Sequence, residues 1–397
     1  MPPELDILTE GGIELQVPAT DGGRPTSKMP AFYNPAMRTG RDISMLCAGA
    51  YSRTQPGDIA VCDLLAATGI RGIRLLRVPS IGELFVNDVG KTAFGLIRSN
   101  LERNYQVSLL EESEDSASYG LDGTRVHVTN AEARCFLSSH KHEFHLLDLD
   151  PFGSPAELVQ PSLKSLRHGS MLCVTATDTA TLCGTYPRTC QRRYWSRSLK
   201  TDFRHEAGIR ILIAYIARVA GTMERGIIPL FSHATAHYYR VYLRVMGSRR
   251  VADESTSQLG WAYHCPVCSS RQTTGGFLPR TPTCCGKAMN VFGPLWTGPT
   301  KDVGFVESMR GANRPGYGVG PEALRIVEEV SKELDLFSYY DLHALSRILG
   351  IPAPRTSEVI SRLRDSGFLA SHTHITGTGV KTDASLEDVR DAVRELS

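Results

Sequence analysis

Short apolar runs alternate with helical periodicity through the first half of the chain. Residues 59–65 (IAVCDLL) form one such run and lead into Ala66-Ala67-Thr68-Gly69-Ile70-Arg71-Gly72, a loop of small residues that opens a helical segment. Further strand-like runs lie at 84–88, 125–129, 144–149 and 171–176, with helical stretches at 91–104, 131–138 and 156–167 between them. Strands separated by helices predict a parallel sheet covered on both faces. Strands buried on both faces carry continuous apolar runs instead of alternating ones, as these do. Residues 226–232 and 239–245 are two more runs with only a short connection. Parallel strands need a long crossover, so this pair predicts an antiparallel hairpin at the sheet edge.

The last third has a different pattern. Residues 321–336, 342–349 and 355–363 show helical apolar spacing, the third with Thr356 or Ser357 as its N-cap, and a Gly- and Thr-rich hairpin follows at 372–382. Three helices and a hairpin in this order predict a winged-helix-like part over 320–385. A chain of 397 residues exceeds one typical core. The expected organisation is an α/β domain over 1–250 and a smaller α+β domain over 251–397.

The chemistry gathers at strand ends. Asp148-Leu149-Asp150-Pro151-Phe152-Gly153 closes the run 144–149, which puts a carboxylate, a backbone carbonyl and a flat ring at the lip of the sheet. Ligands of open α/β sheets bind at that lip. Methylation of an amino group on a nucleobase needs acceptors to orient the nitrogen lone pair and an aromatic face for the base. An ordinary Asp-Pro turn would use the same residues. Asp88 ends the second strand about twenty residues beyond the glycine loop, where an acid can hold ribose hydroxyls. The loop carries only Gly69 and Gly72 and departs from the dinucleotide fingerprint. Together with the terminal hairpin, this favours a Rossmann-like class I sheet of the S-adenosylmethionine-dependent methyltransferases over a nicotinamide oxidoreductase.

Charge and cysteine usage narrow the picture further. A net charge of +2 excludes a uniformly basic nucleic-acid coat, so any RNA surface must be local. Arg188, Arg192, Arg193, Arg197, Lys200 and Arg204 fall in one interval with Tyr194 and Trp195 among them, a pattern suited to phosphates and unpaired bases. A solvated charged face would look similar. Arg362, Arg364, His374 and Lys381 form a second basic group in the winged-helix-like part. No apolar run approaches the ~20 residues that span a bilayer, and no signal peptide opens the chain, so a cytoplasmic protein without membrane contact is expected. Of ten cysteines, six are scattered, as expected for reduced thiols. Cys265-Pro266-Val267-Cys268 followed by Cys284-Cys285 instead suggests a zinc-ribbon-like part over 261–290 holding a structural zinc ion. The second pair is adjacent, so both thiols can ligate only through a strained turn, and His264 is an alternative ligand.

Several long motifs together resemble one family. Phe32-Tyr33-Asn34-Pro35 with Arg41-Asp42, the loop Ala66–Gly72, Asp148 to Pro155, Ala176-Thr177-Asp178-Thr179-Ala180, Cys183-Gly184, Tyr186-Pro187, Arg192-Arg193-Tyr194, Gly293-Pro294-Leu295-Trp296 and Thr373-His374 are similar to those of tRNA guanosine N2-dimethyltransferases. The resemblance runs from Glu10 to Ala384 and implies methylation of the guanine amino group at tRNA position 26, once or twice. It implies Asp150, Pro151 and Phe152 as the catalytic group and S-adenosylmethionine as cofactor. Gly69 and Asp88 would sit at the cofactor, Arg41 and Arg71 at its methionine carboxylate, and Asn130 and Ala131 at its adenine. Both arginines could instead pair with nearby acids. Arg188, Arg192, Arg193, Tyr194, His374 and Lys381 would contact tRNA, and the chain would act as a monomer. Two alternatives stay open: an N-methyltransferase of another base or of a protein amide, and an inactive RNA-binding protein that keeps the fold.

Overall fold

The structure, a computed structural model, describes residues 4–19, 29–235 and 237–397. The chain opens with a hairpin of β1 (Leu5–Glu10) and β2 (Ile13–Pro18), joined by Gly11 and Gly12. Both glycines have positive φ, at 57° and 77°, which is what a two-residue turn matching strand twist requires. Helix α1 (Arg38–Ser52) follows and is buried along nearly its whole length.

The main sheet then begins with β3 (Ile59–Asp63), α2 (Ile70–Leu75), β4 (Ile81–Asn87) and α3 (Lys91–Asn104). Next come β5 (Ser108–Glu112), β6 (Ser116–Leu121), β7 (Thr124–Thr129), α4 (Ala133–Ser139), β8 (Phe144–Leu149), α5 (Ala156–Ser165) and β9 (Leu166–Ala176). After the short helices α6 (Thr179–Leu182) and α7 (Pro187–Tyr194) and the long α8 (Arg204–Gly221), the strands β10 (Gly226–Thr235) and β11 (Tyr238–Met246) complete it. The order is β10-β11-β9-β8-β3-β4-β7-β6-β5. Strands β9, β8, β3, β4 and β7 are parallel to one another, as their apolar runs predict. The terminal hairpin lies at the edge the sequence assigns to it. At the other edge, β5 and β6 add antiparallel strands with no counterpart in the sequence reading. Strand β5 is exposed throughout, so no apolar pattern marks it.

Two compact units divide the chain: Met1–Thr175 with Tyr242–Gly247 and Glu307–Val327, and Ala176–Val241 with Ser248–Val306 and Glu328–Ser397. The second unit includes a three-stranded sheet of Arg271–Gly275, Leu259–His264 and Asn290–Trp296. Its winged-helix-like part packs Leu342–Leu349, Thr356–Asp365 and a further helix, Leu386–Glu395, around Leu345, Val359, Leu363, Val380 and Val389. Thr356 is not the N-cap of its helix; Arg355 holds that place, and the Thr356 hydroxyl donates to the Gly377 carbonyl at 2.9 Å. Among the described residues no helix is long and apolar enough to cross a membrane.

In the first unit, Arg74 of α2 locks the hairpin to α1. Its Nη1 donates to Glu10 Oε1 at 3.0 Å and its Nη2 to Asp42 Oδ1 at 2.5 Å, with all three side chains buried. Gly11 lacks a side chain for the same reason, since a Cβ there would lie 2.6 Å from the guanidinium. Arg41 adds a second pair to Glu10, through Nε at 2.7 Å and Nη2 at 2.5 Å. Burial works against ionisation of Glu10, yet the two arginines hold its carboxyl below the usual range. Arg74→Met is expected to lower stability by about 3–5 kcal/mol in denaturant unfolding, because it strands buried carboxylates. Arg103→Met, which breaks the partly exposed pair with Glu14, should cost less than about 1 kcal/mol. Similar losses in the two variants would contradict this assignment.

Candidate active site

The site is built at the carboxyl ends of three neighbouring strands. Asp63 ends β3 and faces Asp148 of β8 in register. Asp150 lies two residues beyond Asp148, and Asp88 follows β4. Helix α2 supplies the cation that serves this edge. Arg71 Nε lies 3.3 Å from Asp148 Oδ1, Nη2 is paired with Asp150 Oδ2, and Nη1 donates to the Ser44 hydroxyl at 2.8 Å. Asp63 is buried and accepts the Gly72 N–H at 2.9 Å. Burial first, then the charge of Asp148, push its carboxyl up to about 7, although Arg71 and the Gly72 N–H pull the other way.

The glycine loop is shaped by Asp88. Its Oδ2 accepts from the Ala67 N–H at 2.9 Å and its Oδ1 from the Gly90 N–H at 2.8 Å. Gly69 caps α2 in the left-handed region at φ 79°, a conformation that favours glycine. The Thr68 hydroxyl beside it is buried without a hydrogen-bond partner, an unsatisfied polar atom inside the loop. Asn130 Nδ2 donates to the Asp88 carbonyl at 2.9 Å. The Ala131 carbonyl accepts from Asn87 Nδ2 at 3.0 Å, so Asn130 and Ala131 are drawn to the end of β4. Arg41, Arg71, Gly69, Asp88, Asn130, Ala131 and Asp150 all belong to the first unit. The two arginines take the acidic partners that the sequence left as their alternative.

Beyond Asp150, Phe152 is 57 % exposed and Gly153 turns the chain at φ 76°. Phe32 meets the Phe152 ring edge to face, with centroids 4.7 Å apart. The contact fixes the ring and leaves more than half of it open. Phe32 and Asp63 both escaped the sequence assignment of site residues. Phe32 lies in the Phe32-Tyr33-Asn34-Pro35 motif and Asp63 inside an apolar strand run, so local sequence marks neither as a site residue.

The four cysteines of the second unit do come together. The Sγ atoms of Cys265, Cys268, Cys284 and Cys285 all lie within 4.8 Å of one another. Val267 N–H points at Cys265 Sγ and Ser270 N–H at Cys268 Sγ, each at 3.4 Å. Burial opposes ionisation of Cys265, but the donors around it draw its thiol down to about 7. The expected strained turn is present: Cys285 has φ 53°. His264 is not part of the cluster, because its Nε2 faces Asp202 Oδ1 at 3.5 Å. The donor set is that of a tetrahedral, soft-ligand metal centre.

The residues expected to meet tRNA divide into two groups. Arg188, Arg192 and Arg193 are exposed. Tyr194 is not: it is fully buried and its hydroxyl donates to Asp178 Oδ1 at 2.6 Å. Lys381 is also corrected. It is 3 % exposed, and its Nζ lies 3.2 Å from Glu206 and 3.1 Å from Glu333. His374 Nδ1 is paired with Glu333 Oε2 at 2.6 Å, and that side chain too is almost wholly buried. Lys381 and His374 are enclosed inside the unit and committed to Glu206 and Glu333, so these two belong to an internal ion network and not to an RNA surface. Arg362 is half-buried and paired with Glu395, and the exposed Arg364 donates to the Ala370 carbonyl.

The raised Asp63 gives a pH test. Its proton is released near pH 4 from the unfolded chain but only near 7 from the folded one, so its stabilising contribution is full below about pH 4 and is lost as pH rises through about 7. Asp63→Asn keeps an acceptor for the Gly72 N–H and removes the titration. The variant's unfolding free energy should fall less than the native protein's between about pH 5 and 7.5. Equal changes in both would remove the shifted carboxyl from this edge.

Comparison with known proteins agrees with this geometry. The family model described as N2,N2-dimethylguanosine tRNA methyltransferase matches residues 12–394. A Thermococcus kodakarensis tRNA (guanine(26)-N(2))-dimethyltransferase is 36 % identical over 395 residues, covering 99 % of this chain and 100 % of its own. The enzyme of the same name from Methanothermobacter thermautotrophicus is 35 % identical over 394 residues, covering 98 % of each. Among solved structures, Trm1 from Pyrococcus horikoshii in complex with S-adenosyl-L-methionine matches with a TM-score of 0.87 and 33 % identity, over 98 % of this chain and 100 % of that one. A full-length match of sequence and fold, with acidic, glycine and aromatic elements at one sheet edge, leaves one assignment: the chain belongs to the N2,N2-dimethylguanosine tRNA methyltransferase family.

Proposed function

We propose that this chain methylates the N2 amino group of guanosine 26 in tRNA, using S-adenosylmethionine, with Asp150, Pro151 and Phe152 as the group that receives the base. The observation that carries the reading is Asp150, held by Arg71 at the lip of β8 next to an exposed and buttressed aromatic ring. S-adenosylmethionine supplies an electrophilic methyl group on sulfur. Asp88 and the Ala66–Gly72 loop that it holds, with Gly69 at its turn, form a cradle of the donor and acceptor types that a ribose and its neighbouring groups need. Arg41 and Arg71 are cations for the methionine carboxylate, sharing their charge with Glu10 and with Asp148 and Asp150. Asn130 and Ala131 are assigned to the adenine.

Guanine N2 is a weak nucleophile because its lone pair is delocalised into the ring. Asp150 and the Pro151 carbonyl accept its two N–H groups and turn the lone pair out of conjugation. Phe152 and Phe32 hold the flipped base. The nitrogen lone pair forms the new N–C bond as the S–C bond breaks, with its electrons going to sulfur. The nitrogen then becomes acidic, and Asp150 takes its proton. One N–H remains after the first transfer, so one of the two acceptors can still orient the nitrogen for a second. Positioning of this kind can supply most of the acceleration in a direct displacement.

Nucleoside mass spectrometry of a tRNA transcript reacted with the protein should show methylated guanosine at position 26 and none when that guanosine is replaced by adenosine. Asp150→Ala should abolish turnover with little change in S-adenosylmethionine affinity, whereas Asp88→Ala should weaken cofactor binding by ~1–3 kcal/mol through lost hydrogen bonds. A parallel loss of cofactor binding and rate in Asp150→Ala would move Asp150 into the cofactor site.

The four-cysteine cluster fits a structural zinc ion, held by Cys265, Cys268, Cys284 and Cys285. No step of the transfer uses it. Gently purified protein should carry about one zinc per chain, and chelation should loosen the strands around the cluster before it affects cofactor binding. Metal analysis that finds none would end this assignment.

A further inference from the structure

Residues 179–201 contain no acid but five cations, Arg188, Arg192, Arg193, Arg197 and Lys200, in a chain whose net charge is only +2. All five are exposed. The same segment carries Trp195, 75 % exposed, and Tyr186, 57 % exposed. Trp195 is the more informative of the two. It ends α7 in the left-handed region, at φ 51° and ψ 35°, a position where glycine is usual and a bulky side chain is strained.

The surroundings impose that conformation. Arg218 Nη1 donates to the Trp195 carbonyl at 2.8 Å and its Nη2 to the Tyr194 carbonyl at 2.5 Å. Ser196 Oγ donates to the Pro294 carbonyl at 2.9 Å, and Arg197 and Gly293 exchange backbone hydrogen bonds at 2.8 and 2.9 Å. On the helix side, Asp178 takes the Tyr194 hydroxyl and Arg193 Nη1 at 3.1 Å. Seven hydrogen bonds thus fix a strained turn whose product is an indole standing in water. Neither the backbone conformation nor the exposed apolar surface stabilises the fold. Strain maintained by its surroundings is a mark of functional positions.

We infer that Trp195, and not its buried neighbour Tyr194, is a stacking platform for an unpaired base of the tRNA, with Arg192, Arg193 and Arg197 holding the phosphates on either side. The inference rests on the tRNA reading above and adds a binding residue to it. Stacking suits an exposed aromatic because every base has a π-face, and cations on the same segment bring the backbone to it.

The test uses the full-length protein and a tRNA transcript, with tRNA affinity measured at two salt concentrations. Trp195→Ala should raise the tRNA Kd and KM roughly ten-fold while leaving the salt dependence, the S-adenosylmethionine affinity and the melting temperature unchanged. Trp195→Phe should retain most of the affinity, because a ring remains. Arg192→Gln with Arg197→Gln should also weaken tRNA binding but, unlike Trp195→Ala, flatten the salt dependence. Native protein should lose indole fluorescence on binding tRNA, and Trp195→Phe should lack that change; the other two tryptophans are Trp261 and Trp296. Unchanged tRNA Kd and KM in Trp195→Ala would overturn the inference and leave the patch to a protein partner. The Kd is read without turnover, so a native protein that binds tRNA but leaves guanosine 26 unmodified defeats the proposed reaction and not this assignment.

Discussion

A single guanidinium among three carboxylates is the constraint on which the site depends. Arg71 pairs with Asp148 and Asp150, and Asp63 stands beside Asp148 on the next strand. Burial, and then the charge of Asp148, push the Asp63 carboxyl up to about 7, because the one cation does not offset them. Asp150 is then the carboxylate with access to solvent and a charged partner. Arg71 sits in the first turn of α2, and the start of that helix is set by Gly69 and by the grip of Asp88 on Ala67. The loop assigned to the cofactor and the carboxylate assigned to the base are therefore tied through one short helix. A shift in either would be felt by the other, as is useful when two substrates must meet at bonding distance.

Buried ion networks recur as the way this chain fixes its loops. Glu10 joins Arg41 and Arg74, and Asp42 joins Arg74, so the first hairpin is held to α1 and α2 through charge. In the second unit, Glu206 of α8 and Glu333 share Lys381, and Glu333 also takes His374. Burial opposes ionisation of Glu333, but His374 and Lys381 hold it below the ordinary range, and burial of Lys381 is outweighed by its two acids. Such pairs add little net stability over apolar packing. They are costly to break singly, so they fix one arrangement of the winged-helix-like part relative to α8.

The cysteine cluster and the turn at Trp195 show backbone strain placed for two different ends. At Cys285 the left-handed conformation lets adjacent thiols reach one point, and at Trp195 it turns an aromatic ring outward. Both are held by neighbouring hydrogen bonds. In neither does the strained residue contribute to an apolar core.

By itself the sequence determined the parallel strands, the terminal hairpin, the glycine loop, the acidic-Pro-aromatic lip and the four thiols. These are written in local order: buried strands read as apolar runs, and a loop or a ligand spacing needs only a few consecutive residues. Family membership was legible for the same reason, through long motifs. Only the tertiary structure decided which charged residues face solvent. Lys381 and His374 look like surface cations until Glu206 and Glu333, distant in sequence, are brought to them. Tyr194 and Trp195 are neighbours in the chain, and one left-handed turn buries the first and exposes the second. The exposed strand β5 carried no apolar signal, and Asp63 was hidden inside an apolar run. Burial and charge pairing are sums over the whole fold, so no window of sequence contains them.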